Sequence, residues 1–334
     1  MRLTRIRAAA AACAATVAVT TVVGAAAPAA AGTEGRGGAG RFTVAVLGDT
    51  PYGDEQRAQF PALVEDINAD RKVRLVLHAG DVKNGSSTCD DARLADLAAL
   101  YNTFEDPFVL TPGDNEWTDC HRVSAGSYLP VERLDAVRRY FFPVAGRTLG
   151  AHPIRVRSQA RDPRHRAYRE NVLFERNRVV FSTVHVVGSE NDLEPWSGLP
   201  GGDRPDLRVA EFEARLAANL AWIDRTFDTA QARRAAGVLV MMQAEPLATP
   251  GFQAVRDRLT QRAREFRRPV LLVHGDEHVY EVERRYAGVR NLTRLETFGA
   301  TATHWLRLTV DPRARTVFSW EPRSVPAHVD GAAR

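Results

Sequence analysis

No long run of basic residues and no alternation of basic with aromatic side chains occurs in the chain, which removes the electrostatic footprint of a nucleic-acid-binding protein. No apolar stretch beyond residue 31 is long enough to cross a bilayer, so no membrane span is expected in the mature chain. Cysteine is scarce, with three in 334 residues, and no Cys-x-x-Cys pair is present, which argues against a zinc site assembled from Cys89, Cys120 and His121. Internal repeats are also missing, so a solenoid is not expected.

What the chain has is ordinary globular material, 44% hydrophobic and 26% charged. Residues 1–31 read as a secretory signal peptide, with Arg2, Arg5 and Arg7 ahead of an Ala/Val-rich stretch that closes on small residues around Ala29 to Ala31. A membrane anchor is the alternative, but the weak hydrophobicity and the Ala-Ala-Ala favour cleavage and a secreted protein. Cys13 lies too near the arginines to be a lipid-anchored cysteine. Without the three arginines, 42 basic residues face 41 acidic ones, so the basic pI belongs largely to the leader. Residues 32–41 form a Gly-rich linker, 42–322 a single domain and 323–334 a C-terminal tail. Cys89 and Cys120 remain after the leader and are expected to pair in an exported protein, two free thiols being the alternative.

Continuous apolar runs alternate with helical patterns. Strands are expected at Phe42 to Gly48, Val73 to Gly80, Pro107 to Gly113, Val179 to Gly188, Gly237 to Gln243 and Pro269 to Gly275, each apolar enough to be buried on both faces. Helical spacing of Leu, Ala, Phe and Trp fills about Asp54 to Asp70, Asp90 to Glu105, Pro130 to Tyr140, Asp206 to Arg234 and Phe252 to Phe266. The last third, with NLTRLETFG, HWLRLTVD and TVFSWEP, reads as sequential antiparallel strands. The pattern predicts an α/β sandwich in which a partly parallel sheet is joined by a second sheet from the C-terminal strands.

Ligands in such folds collect at the carboxyl ends of parallel strands. Here those ends carry Gly48-Asp49, Gly80-Asp81, Gly113-Asp114-Asn115-Glu116, Met242-Gln243 and His274-Gly275-Asp276-Glu277-His278. One Gly-Asp after a strand is a turn by default. Four of them on neighbouring strands would bring Asp49, Asp81, Asp114 and Asp276 together, and such a cluster needs cations. Divalent metal ions are the simplest answer.

These blocks, in this order and over roughly Phe42 to Tyr280, resemble the calcineurin-like metallophosphoesterase superfamily. The resemblance implies a four-layer α/β/β/α sandwich with two mixed β-sheets, and a site where two divalent metals activate a hydroxide to attack a phosphate mono- or diester. Carried over by position, Asp49 is the first-block aspartate and Asp81 the one that bridges both metals. Asp114 stands where the family has a metal-binding Asn, Asn115 at its catalytic His, Gln243 at its fourth-block His, Asp276 at the first His of the last block and His278 at the second. Pro51 occupies the first-block His position and cannot ligate.

The oxygen-rich set favours Mn²⁺, Mg²⁺ or Ca²⁺ over Zn²⁺. Asn115 has no proton for a leaving alkoxide, so His121, His185 or Glu116 are the candidate acids. Lys83, Asn84, Trp117, Arg122 and Tyr52 fall on neighbouring loops as candidates to contact a small phosphorylated substrate. An alternative is a metal-poor binding module or pseudoenzyme in which the Lys83 ammonium neutralises the carboxylates.

Overall fold

The structure, a computed structural model, describes residues 40–325; the expected signal peptide, most of the expected linker and residues 326–334 of the expected tail lie outside the described residues. Strand β1 (Phe42–Leu47) is buried at every position, and its alternation shows the layering. Val44 and Val46 enter one apolar cluster and Ala45 and Leu47 another, as the two-residue period of a strand requires. The Ala45 side packs against helices α1 (Gly53–Ala69), α2 (Asp91–Tyr101) and α3 (Pro130–Phe141). The Val44 side faces a second sheet.

The first sheet has the order β12-β11-β1-β2-β3, with β2 (Val73–His78) and β3 (Phe108–Leu110) parallel to β1. The second runs β4-β5-β6-β7-β8-β10-β9. Its centre is parallel: β6 (Val179–Thr183), β7 (Gly237–Met241), β8 (Val270–His274) and β10 (Leu292–Glu296). Helices α5 (Pro205–Ala232) and α6 (Gln253–Phe266) cover its outer face through Ile223, Phe227, Val255 and Leu259. Between the sheets Phe181, Leu239, Leu271 and Leu306 meet Val44 and Leu77. The result is a four-layer α/β/β/α sandwich of two mixed sheets.

The helix starts follow local chemistry. The Asp90 side chain accepts the Arg93 amide at 2.8 Å and caps α2, while Pro130 opens α3 at a position where a missing N–H costs nothing.

Three expectations change. The central parallel strands do not share one sheet but are divided between two. The C-terminal strands do not form a sheet of their own: β10 joins β8 in parallel, whereas β11 (His304–Val310) and β12 (Phe318–Ser324) extend the first sheet antiparallel to β1. Three strands were not foreseen, namely β4 (Arg157–Ser158), β5 (Val172–Arg176) and β9 (Val282–Arg284), which are short and partly exposed. Strand partners are chosen by contacts distant in sequence, which periodicity does not encode.

Candidate metal centre

The strand-end loops of both sheets meet. Asp49, two residues beyond β1, donates its amide to the Gly80 carbonyl at 2.9 Å, and its Oδ1 accepts the Asp276 amide at 3.0 Å. Thus the first sheet's Asp49 is held by the second sheet's last block. Asp81 Oδ1 accepts the Asn115 amide at 3.2 Å, which joins the loops after β2 and β3. Glu116, fully buried, completes this join by accepting the Gly113 amide at 2.6 Å and the Val82 amide at 3.3 Å.

Glycine has a second use here besides its turns. A Cβ at Gly113 would lie 1.9 Å from Asp81 Oδ1, one at Gly275 the same distance from Asp49 Oδ2, and one at Gly188 2.6 Å from both Asp114 Oδ2 and Asp276 Oδ1. These glycines are the room in which the carboxylates sit. Four site residues, Asp49, Asp81, Asp276 and His278, have φ of 53°, 57°, 84° and 60°. Left-handed backbone costs a non-glycine residue about 1–2 kcal/mol, and such conformations concentrate at functional sites.

Two groups of donors result. One oxygen each from Asp49 and Asp81 and a ring nitrogen of His278 lie within 4.8 Å of one another, as do oxygens from Asp81, Asp114 and Asp276. Asp81 belongs to both. Burial lifts Asp81 well above the usual carboxylate range, and the neighbouring Asp114, Glu116, Asp49 and Asp276 charges lift it further. Burial likewise raises Asp49, and pushes Asp276 up to about 9. Hard oxygen donors on a glycine-lined, buried floor fit divalent cations, which would remove this charge conflict.

Gln243 departs from its expected role as a ligand. Its Oε1 accepts the Gly188 amide at 2.7 Å, so its Nε2 must face the carboxylates, donating to Asp276 at 2.6 Å and Asp114 at 3.3 Å. It aligns two carboxylates instead of offering an oxygen to a cation.

The expected acids and contacts separate sharply. His185 is fully buried, gives Nδ1 to the Glu170 carboxylate at 3.0 Å and packs against Trp117 at 5.5 Å between ring centroids. Trp117 is itself fully buried, with the Arg215 guanidinium over its ring. Neither is open to a substrate, a correction with its cause in α5: Arg215 covers the Trp117 ring, and Arg215 and Asn219 donate to the His185 carbonyl. His121 accepts the Gly198 amide on Nδ1 at 3.2 Å, so the Pro/Gly-rich loop packs onto it and occupies that nitrogen.

Lys83 is buried too, but its ammonium donates to the Asn84 carbonyl at 3.0 Å and forms no ion pair among the described residues. Burial lowers it to about 8 despite the Glu116 and Asp81 charges nearby. Asn84 caps its own loop by accepting the Ser87 amide at 2.8 Å.

Asn115 and Tyr52 do reach the centre. Asn115 Nδ2 lies 2.5 Å from Asp81 Oδ2 and 2.6 Å from the Tyr52 hydroxyl, which also donates to Asp81 at 2.5 Å. Two residues given no role from the sequence join them. Ser189 Oγ lies 2.9 Å from both Asp114 and Asp119, and Asp119 pairs with Arg122 at 2.7 Å. Ser189 sits in α4 (Gly188–Asp192), a turn whose residues 189–192 all have positive φ. The Asn/Asp content of GSEND was the only sequence signal for that turn.

Cys89 and Cys120 are bonded, with Cα atoms 5.8 Å apart and a sequence separation of 31. The bond staples the loop bearing Asp81 to the loop bearing Asp114. Replacing both with serine is expected to lower stability by about 3–4 kcal/mol, measured by urea unfolding. A loss under about 1 kcal/mol would show that other contacts hold these loops.

A four-layer sandwich whose strand ends present two donor groups sharing one aspartate is the architecture of a metallophosphoesterase. The chain belongs to the calcineurin-like phosphoesterase family, whose model matches residues 42–280. It is similar in structure to TT1561 of Thermus thermophilus, at 12% identity and a TM-score of 0.44 over 85% of this chain and 99% of that one. It is also similar to the purple acid phosphatase PPD1 from seeds of yellow lupin, Lupinus luteus, at 10% identity and 0.44 over 85% and 54%. A third is the calcineurin-like phosphoesterase YfkN from Bacillus subtilis, at 11% and 0.44 over 86% and 92%. Comparison with curated proteins finds no match.

Proposed function

We propose that the protein is a secreted, metal-dependent hydrolase of a small phosphorylated ester, with two divalent cations at the strand ends. The observation that carries the reading is the sharing of Asp81 between the Asp49–His278 group and the Asp114–Asp276 group. Asp49, Asp81 and His278 would hold one cation, and Asp81, Asp114 and Asp276 the other, with Mn²⁺, Mg²⁺ or Ca²⁺ suited to the oxygen-rich set. When bound, such cations supply a nucleophile from water at neutral pH and polarise the phosphoryl oxygens.

The chain's own residues orient this chemistry. Gln243 holds Asp114 and Asp276 in register, and Tyr52 and Asn115 fix the Asp81 carboxylate. Asn115 offers hydrogen bonds but no proton for a leaving alkoxide, which forgoes about 10²–10⁴-fold of general acid catalysis. Substrates with acidic leaving groups are therefore favoured, such as aryl or anhydride phosphates. The leader and the disulfide support an oxidising, extracellular setting. No helix among the described residues is long and apolar enough to cross a membrane.

The test is metal analysis after dialysis against Mn²⁺, Mg²⁺ and Ca²⁺ in turn. About two equivalents of one of them are expected; protein that retains none overturns the reading. In that case the pseudoenzyme alternative would stand.

A further inference from the structure

Arg122 has more structure around it than a surface arginine needs. It follows a short 3₁₀ turn, Thr118–His121, that folds the Asp119 carboxylate back onto it, with Nη1 to Oδ2 at 2.7 Å. The Asp119 side chain is 3% exposed and that of Arg122 44%, so the anchoring end is buried while the guanidinium remains open to solvent. The other Asp119 oxygen meets Ser189 Oγ at 2.9 Å, and that hydroxyl also reaches Asp114 at 2.9 Å. One serine thereby links the arginine's partner to a carboxylate of the centre.

Gly85 supplies the third support. A Cβ there would fall 2.6 Å from Arg122 Nη1, 2.7 Å from Asn115 Oδ1 and 3.5 Å from Asp119 Oδ2. The guanidinium and the Asn115 amide thus flank one point above a residue with no side chain, and the same amide touches Asp81 at 2.5 Å. An exposed i,i+3 ion pair by itself contributes little to stability and requires neither a glycine seat nor a buried partner.

We infer that Arg122 anchors a phosphoryl oxygen at the mouth of the site, that Asp119 is its positioning residue, and that the pair selects phosphomonoesters. This rests on the phosphoesterase reading. A monoester presents three non-bridging oxygens and close to two negative charges, a diester two oxygens and one charge. A donor at the mouth, beyond the carboxylate floor, has an oxygen to itself only in the monoester. Arginine suits this because its planar fork offers two parallel N–H donors to a phosphoryl group.

The test uses metal-loaded protein and two probes. Titration calorimetry with inorganic phosphate measures the anchor without turnover, and steady-state kinetics compare p-nitrophenyl phosphate with bis(p-nitrophenyl) phosphate. Arg122→Ala is expected to weaken phosphate and raise the monoester KM by about 10–100-fold, with the diester KM changed less than about threefold. Arg122→Lys restores part of the loss. Asp119→Asn shifts the monoester-to-diester ratio in the same direction as Arg122→Ala, with metal content unchanged.

An unaltered phosphate affinity and an unaltered ratio in Arg122→Ala overturn the anchor, as does wild-type protein that binds no phosphate. Failure of the phosphoesterase reading shows differently, as metal-loaded protein that hydrolyses neither ester while still binding phosphate through Arg122.

Discussion

Asp81→Asn is expected to make the metal-free protein more stable and the metal-bound protein inactive, two effects of opposite sign from one near-isosteric change. Asp81 is fully buried, and its charged form is opposed by burial first and then by Asp114, Glu116, Asp49 and Asp276. An asparagine removes that charge and can keep its one oxygen toward the Tyr52 hydroxyl and Asn115 Nδ2, giving up the bond from the Asn115 main-chain amide. The apo protein should therefore melt higher than wild type at pH 8. Because Asp81 is the one residue common to both donor groups, its loss weakens both cation positions together. Affinity is expected to fall by at least about 100-fold, more than the 10–100-fold typical of residues that only support a ligand. Calorimetric metal titration and melting in chelator check the two halves. A variant that binds metal like wild type removes Asp81 as the bridge, and one that melts lower in chelator removes the charge conflict.

In chelator, the wild-type protein is expected to lose stability as pH rises, and divalent cations to restore it increasingly. Asp49 and Asp81 are raised in the folded state and Asp276 is lifted to about 9 from an ordinary 3.8, chiefly by burial. Below pH 4 both folded and unfolded chains hold these protons, and there is no difference between them. Between about 4 and 9 the folded chain holds protons that the unfolded chain has released, so stability declines with pH across that window. A decline of roughly 5–10 °C in melting temperature is expected between pH 5 and pH 9. Cations compete with those protons, so the metal-induced rise should be small at pH 5 and several kcal/mol at pH 8 once metal exceeds its Kd about 1,000-fold. A chelated protein whose melting temperature climbs from pH 5 to 9 would contradict this account.

The centre was readable to an uneven degree, and the unevenness has a cause. Asp49, Asp81, Asp114 and Asp276 were legible because each ends an apolar run, and a strand's end is visible in one dimension. Asn115 followed Asp114. Gln243 stood at the right place, but the atom it presents to the carboxylates depends on the Gly188 amide, 55 residues earlier. His185 and Trp117 looked available because loops are usually exposed; tertiary packing buried both. Asp119 gave no signal and Ser189 only that of its turn, because a lone Asp or Ser acquires a role only from what folds beside it.

The sequence by itself determined the main strand and helix segments, the Gly-Asp ends, the excess of carboxylates that calls for cations, and the expectation that Cys89 pairs with Cys120. All of these rest on local pattern or on counting. Only the tertiary structure decided that the parallel strands divide between two sheets, that β10 leaves β11 for β8, and that Asp81 sits in both donor groups. It alone made Gly113, Gly188 and Gly275 the space for carboxylates and gave Arg122 its seat over Gly85. The physical reason is the same in each case: these features are contacts between segments tens to hundreds of residues apart, selected by packing of two sheets whose shared face no local window contains.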